Sequence, residues 1–253
     1  LQMQDRISAE SGGIGAAFSA KGRIDDVQAL SGYIIFNGKA LARNRSELTR
    51  LLRDVYTSAR FDEKERIREI IAQIRARREQ AVTGSGHALA MGAASQGMSP
   101  GAWLSFRLGG LAGIRGTKQL DQALKDPEEL TALCDKLSAL HEKIGKQGRE
   151  FLVIGEEDQL PAMVDDLKSC WRDASGAGIA GWKMEPVNYT TREAWLTSTQ
   201  VNFCSKAYST VAVDHPDAAA LTVLGGFLRN GYLHRAIREK GGAYGGGAGQ
   251  DSV

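Results

Sequence analysis

The sequence predicts an α+β fold. Two strand-like runs stand near the start, at residues 12–22 and 32–42, around a turn region. Segments with apolar residues at helical spacing follow between 46 and 140. Strand-like composition returns at 149–155 and again at 199–213. Strand runs and helix runs alternate loosely, and no short internal repeat is present.

The elements follow in order. Ser46 to Tyr56 places Leu48, Leu51, Leu52 and Val55 at i, i+3, i+4, i+7, the spacing of one helix face. Asp62 reads as an N-cap, and Glu65 three residues on completes a capping box. The helix behind it carries Ile67, Ile70, Ile71 and Ile74 on one side. Gly84, Gly86 and Gly92 mark a looser, small-residue segment. Ser99-Pro100 opens another helix, with a serine cap and proline in the first turn. Asp126-Pro127-Glu128-Glu129 repeats that signal before Leu130, Leu133, Leu137 and Leu140. Arg149 to Gly155 reads as a buried strand, and Glu156 to Leu167 as a polar turn and a short helix. Residues 173–189 are rich in Gly, Ala, Ser and Thr without a period and read as a linker. After the 199–213 strand region, Asp214-His-Pro-Asp217 starts a helix whose face runs through Leu221, Leu224, Leu228 and Tyr232. A last helical stretch holds Leu233, Ala236 and Ile237, Gly241-Gly242 ends it, and 243–249 is extended.

Composition excludes several classes. The 253 residues suit one large domain or two ordinary ones. Lys+Arg 32 against Asp+Glu 30 leaves a net charge of +2, too little for a whole-molecule field that steers nucleic acid. Arginines of the 62–82 helix are interleaved with Glu63, Glu65, Glu69 and Glu79, which favours a solvated, ion-paired face over a nucleic-acid patch. No apolar run reaches the roughly 18 residues that span a bilayer, so neither nucleic acid nor membrane is expected as a partner. Cys134, Cys170 and Cys204 are sparse and form no CxxC pair. They read as reduced cysteines of an intracellular, reducing compartment: a bacterial cytoplasm or an organelle matrix.

Familiar catalytic motifs are absent. The four histidines (His87, His141, His215, His234) form no zinc-ligand spacing, so no metal site is expected in this chain. His234 and Glu239 are five apart, which does not place them on one face of an α-helix. Gly32 to Lys39 has one residue too many for a Walker loop, and Ala40 stands where Ser or Thr would bind magnesium.

The segment His234 to Gly249 stands out. A helix with a glycine C-cap accounts for Gly241 and for the basic residues near the helix end. It does not account for the five glycines that follow. Glycine weakens a strand, so Gly242, Gly245 and Gly246 read as a ledge that another polypeptide backbone approaches closely, as in strand addition. Arg238 suits a substrate carbonyl or carboxylate, and Tyr244 a developing oxyanion.

Arg238-Glu-Lys-Gly-Gly-Ala-Tyr-Gly-Gly-Gly resembles the C-terminal-half signature of the presequence-protease family. That family belongs to the pitrilysin/insulinase superfamily of zinc peptidases with an inverted zinc motif. Val201-Asn-Phe, Asp214 to Leu221 and Leu228 to His234 resemble the same region. Gly84 to Met91 and Leu104 to Gly110 resemble the family's associated domain. The resemblance covers most of the chain and is most specific over 199–250.

It implies long chains of four related α/β sandwich domains, closing like a clamshell around unfolded peptides. In the first domain two His and a later Glu hold zinc, and the motif Glu is the general base. The fourth domain sends an Arg and a Tyr to the substrate, by motif position Arg238 and Tyr244 here. Residues 1–172 then correspond to the third, associated domain, nearly complete, and 190–253 to the start of the fourth, truncated. No inverted motif occurs in these residues. The resemblance therefore implies a C-terminal-half fragment of a zinc metalloendopeptidase that degrades targeting and other unstructured peptides. Its zinc belongs to the full-length enzyme, its partner is the N-terminal catalytic half of the same polypeptide, and alone it is inactive. The alternative is a structural or peptide-holding non-catalytic subunit of the same superfamily.

Overall fold

The computed structural model describes residues 2–172, 183–198 and 200–250. It is a mixed α and β structure: a series of helices and, among the described residues, one two-stranded sheet. The chain gathers into two compact units. The first takes the described residues of 1–19, 32–79 and 115–182, the second those of 20–31, 80–114 and 183–253. Most of the expected 173–189 linker, 173–182, lies outside the described residues, as does Thr199 of the 199–213 region.

Helix α1 (Gln2–Glu10) leads into strands β1 (Ile14–Gly22) and β2 (Leu30–Gly38). Backbone bonds join Gly12 N–H to the Lys39 carbonyl (2.7 Å) and Lys39 N–H to the Gly13 carbonyl (3.3 Å), so the pair is antiparallel. Gly13 takes φ 114 at the entry to β1, a conformation that glycine alone adopts without strain.

In the first unit, helices α2 (Arg45–Thr57), α3 (Lys64–Gly84), α6 (Leu111–Ala123), α7 (Pro127–Gly145) and α8 (Leu160–Cys170) supply the packing; α3 and α6 each extend into the second unit. Leu124, Leu130 and Cys134 form a buried cluster, and Ile67, Ile71, Leu120 and Leu133 close over it. The isoleucine stripe of α3 thus faces the core, as its spacing predicts. On the outer side, Arg66–Glu69 (3.0 Å), Arg68–Glu65 (2.6 Å) and Arg75–Glu79 (3.0 Å) pair within the helix.

Tyr56 ties the ends of α2 and α7 together. Its ring meets Phe36 and Trp171 at centroid distances of 5.3 and 5.4 Å. Its hydroxyl donates to the Ile144 carbonyl (3.1 Å) and accepts from Arg149 Nε (3.0 Å). Arg149 also donates to the Gly145 carbonyl at 3.0 Å, satisfying a carbonyl that the end of α7 leaves open.

Two expectations change here. The Asp62 carboxylate takes two bonds from Arg60 (3.0 and 2.7 Å), and α3 begins only at Lys64. The Arg60 hydrogen bond also holds the Asp62 carboxyl below its ordinary range. The capping box does not form, because Glu65 pairs with Arg68 instead. Residues 149–155 are not a buried strand: Leu152 and Ile154 are 86% and 82% exposed. No described strand runs beside them, and Phe151 turns instead onto Trp171 (5.3 Å).

The second unit is built on α4 (Gly86–Ser95), α5 (Pro100–Leu108), α9 (Ala218–Leu228) and a π-helix, Arg229–Lys240. The loose glycines now have a reason. A side-chain carbon on Gly97 would stand 2.0 Å from the Tyr189 carbonyl oxygen, and one on Gly86 2.2 Å from the Phe203 ring. Gln28 adds a second tie, donating to the Met98 carbonyl (3.0 Å) and accepting from Val187 N–H (2.9 Å). The 200–213 region is extended but carries no strand pairing among the described residues.

Candidate functional site

The site is built on α9, the π-helix and the glycine ribbon 241–249. The sequence Ala218 to Leu228 carries no charge, and its Gly225-Gly226 pair opens a notch on the helix. The ribbon returns to that notch: a side-chain carbon on Gly225 would meet Gly249 Cα at 3.2 Å and the Ala248 carbonyl at 3.3 Å. Gly246 in turn seats against Ile237, whose Cδ1 would stand 2.7 Å from an added carbon.

Winding changes at Leu228. From Arg229 the chain is a twelve-residue π-helix, closed by i→i+5 bonds rather than i→i+4. The inward side then runs through Leu228, Leu233 and Ile237, all half-buried. Tyr232, expected on that face at α spacing, is 70% exposed. The same winding overturns the expectation for His234 and Glu239. They lie on one side of the helix, with His234 Nδ1 3.2 Å from Glu239 Oε1. The sequence held one signal of this, the step of five from Leu228 to Leu233, which an α-helical reading passes over.

The helix ends on Arg238. Its carbonyl accepts from the N–H of Gly241 and of Gly242 (3.1 Å), and Ala243 N–H reaches the Ile237 carbonyl (3.1 Å). Gly242 has φ 67, so it makes the left-handed turn that terminates the helix. Beyond it Tyr244 is 98% exposed. The Arg238 side chain is also exposed, and no described residue pairs with its guanidinium or with the Tyr244 hydroxyl. A free guanidinium offers paired N–H donors to a carbonyl or carboxylate, and a free phenol offers one O–H donor.

The three glycines assigned to the ledge separate. Gly242 is required by its backbone angle and Gly246 by the Ile237 contact, both within the chain. Around Gly245 nothing stands within 4 Å of an added side-chain carbon.

Among the described residues no group of three or more His, Cys, Asp or Glu side chains is placed to hold a metal ion. No described helix is long and apolar enough to cross a membrane. The three cysteines are free thiols: Cys134 buried, Cys170 half-buried, Cys204 exposed. The first unit holds a cavity of about 410 Å³ lined by Arg6, Arg50, Arg53, Asp54 and Cys170 among others, which no sequence motif announces.

Residues 1–120 match the family described as the associated region of peptidase family M16, subfamily C. Across its length the chain is similar to mitochondrial presequence proteases. Identity is 28% over 252 residues for that of Yarrowia lipolytica, covering 98% of this chain and 25% of the relative. For Danio rerio it is 24% over 269 residues, covering 98% and 26%. For Drosophila melanogaster it is 29% over 232 residues, covering 89% and 22%. The chain thus spans about a quarter of the length of these curated relatives. It is a member of the M16 (pitrilysin/insulinase) peptidase family, with the associated region of subfamily C in residues 1–120 and presequence proteases as its relatives.

Proposed function

We propose that this chain is the non-catalytic part of a zinc metalloendopeptidase that degrades unstructured peptides, targeting peptides among them. Its part is to present Arg238 and Tyr244 to a peptide lying along the glycine ribbon. Arg238 anchors a backbone carbonyl through charge-assisted bonds, and Tyr244 donates its hydroxyl to the oxyanion that forms when the scissile carbonyl is attacked. Gly242, Gly245 and Gly246 leave the peptide backbone room to approach. Residues 1–172 act as the third, associated domain, 173–189 as the linker and 190–253 as the start of the fourth, all of the pitrilysin sandwich type.

One observation carries this reading. An exposed guanidinium and an exposed phenol, neither engaged by a described residue, stand on either side of a left-handed glycine. A structural tyrosine would bury its ring, and a helix-capping arginine would aim at carbonyls that Gly241 and Gly242 already satisfy. The described residues do not fit a zinc ion. Zinc in this proposal is held by the N-terminal catalytic half. The names of the relatives support an organelle matrix as the compartment.

The test is peptide cleavage by the purified 253-residue chain. No chelator-sensitive hydrolysis of an unstructured peptide is expected until the catalytic half is supplied. Hydrolysis by the chain alone, blocked by a chelator, contradicts the proposal.

A further inference from the structure

The His234–Glu239 contact is a choice between two pairings. In an α-helix Glu239 would face Arg235, four residues back, as an i,i+4 ion pair. The π-helix gives it His234 instead, five back, at 3.2 Å. Arg235 is left exposed and pairs with no described residue. The two pairings belong to two windings of one segment, and they exclude each other because they share one carboxylate.

Winding decides where Arg238 points. Each residue of a π-helix turns its side chain through a smaller angle than an α-helical residue does, and the difference accumulates from Arg229 to Arg238. The exit of the ribbon depends on the same geometry. The Ala243 N–H reaches back six residues to the Ile237 carbonyl, a span suited to wide winding. Ile237 also holds Gly246 through close contact. A return to α winding would turn Arg238 away and release the ribbon that carries Tyr244.

We infer that His234 is a positioning residue: by holding Glu239 it keeps the Arg229–Lys240 helix in π winding and so sets the direction of Arg238 and Tyr244. This rests on the assignment of Arg238 and Tyr244 to the substrate.

The test is amide hydrogen exchange by NMR on the 253-residue chain, read at Ala243. His234→Ala should speed exchange there by about two- to fivefold, the scale of an exposed ion pair. Arg235→Ala, which removes the competing partner, should leave it as slow as in the parent or slower. The double variant should return toward the parent. If His234→Ala merely damaged the helix, removing Arg235 would not restore it. Unchanged exchange in His234→Ala, or a double variant as fast as His234→Ala, overturns the inference. Peptide turnover by Arg238→Ala in the full-length protein tests the underlying assignment separately. Normal turnover there removes the functional role, whatever the Ala243 amide shows.

Discussion

The Cα of Gly249 lies 3.2 Å from the point that a side-chain carbon on Gly225 would occupy. The glycine ribbon is therefore seated on α9 by backbone contact, and Tyr244 is carried between that contact and the end of the π-helix. Gly225→Ala separates stability from function. Alanine favours the helix by about 1 kcal/mol relative to glycine, yet its methyl group pushes the ribbon out by a few tenths of an ångström. Thermal unfolding should show Tm unchanged or higher, while peptide turnover by the full-length protein falls. Equal turnover would show that the ribbon's seat does not matter.

The core of the first unit depends on Leu124, which is 1% exposed among Leu130, Cys134 and the α3 isoleucines. Leu124→Ala removes buried carbon and leaves a cavity, at a cost of about 2–5 kcal/mol. Urea unfolding followed by circular dichroism checks it, and a loss under about 1 kcal/mol would contradict the packing described.

Tyr56→Phe keeps the ring contacts to Phe36 and Trp171 but removes the hydroxyl that joins Arg149 to the Ile144 carbonyl. The expected cost is about 1 kcal/mol, with some offset because Arg149 keeps its bond to Gly145. An unchanged denaturation midpoint would mean that the hydroxyl contributes nothing net.

Gly97→Ala is expected to be far more damaging than a surface change. Its methyl carbon would stand 2.0 Å from a backbone carbonyl oxygen, that of Tyr189, which has no side-chain freedom with which to yield. Loss of the Tyr189 N–H bond to the Gly97 carbonyl (2.8 Å in the parent) should be visible as fast exchange of the Tyr189 amide.

Local chemistry made part of this structure legible. Ser99 and Asp126 cap their helices as expected, accepting from Ala102 N–H (3.1 Å) and Glu128 N–H (2.9 Å), because a short side chain next to its own backbone has few rivals. Asp62 had a rival two residues away in Arg60, and a charged donor won. Helix α2, read over 46–56, runs from Arg45 to Thr57, since apolar spacing marks a helix better than it marks its ends. The run Phe151-Leu-Val-Ile154 has strand composition, but a strand also needs a neighbour, and none is placed beside it among the described residues.

At the candidate site, Arg238, Tyr244 and the glycines were visible from the motif. The π winding was not, because helical reasoning assumes 3.6 residues per turn. That single assumption put Tyr232 on the wrong side and kept His234 from Glu239.

The central claim is that Arg238 and Tyr244 act on a bound peptide. The most direct measurement is steady-state cleavage of an unstructured peptide by the full-length protein carrying Tyr244→Phe or Arg238→Ala, with folding verified for each. Turnover should fall by about tenfold to a thousandfold, the range expected when a donor to developing charge or a substrate anchor is removed. Kinetics indistinguishable from the parent for both variants would contradict the claim.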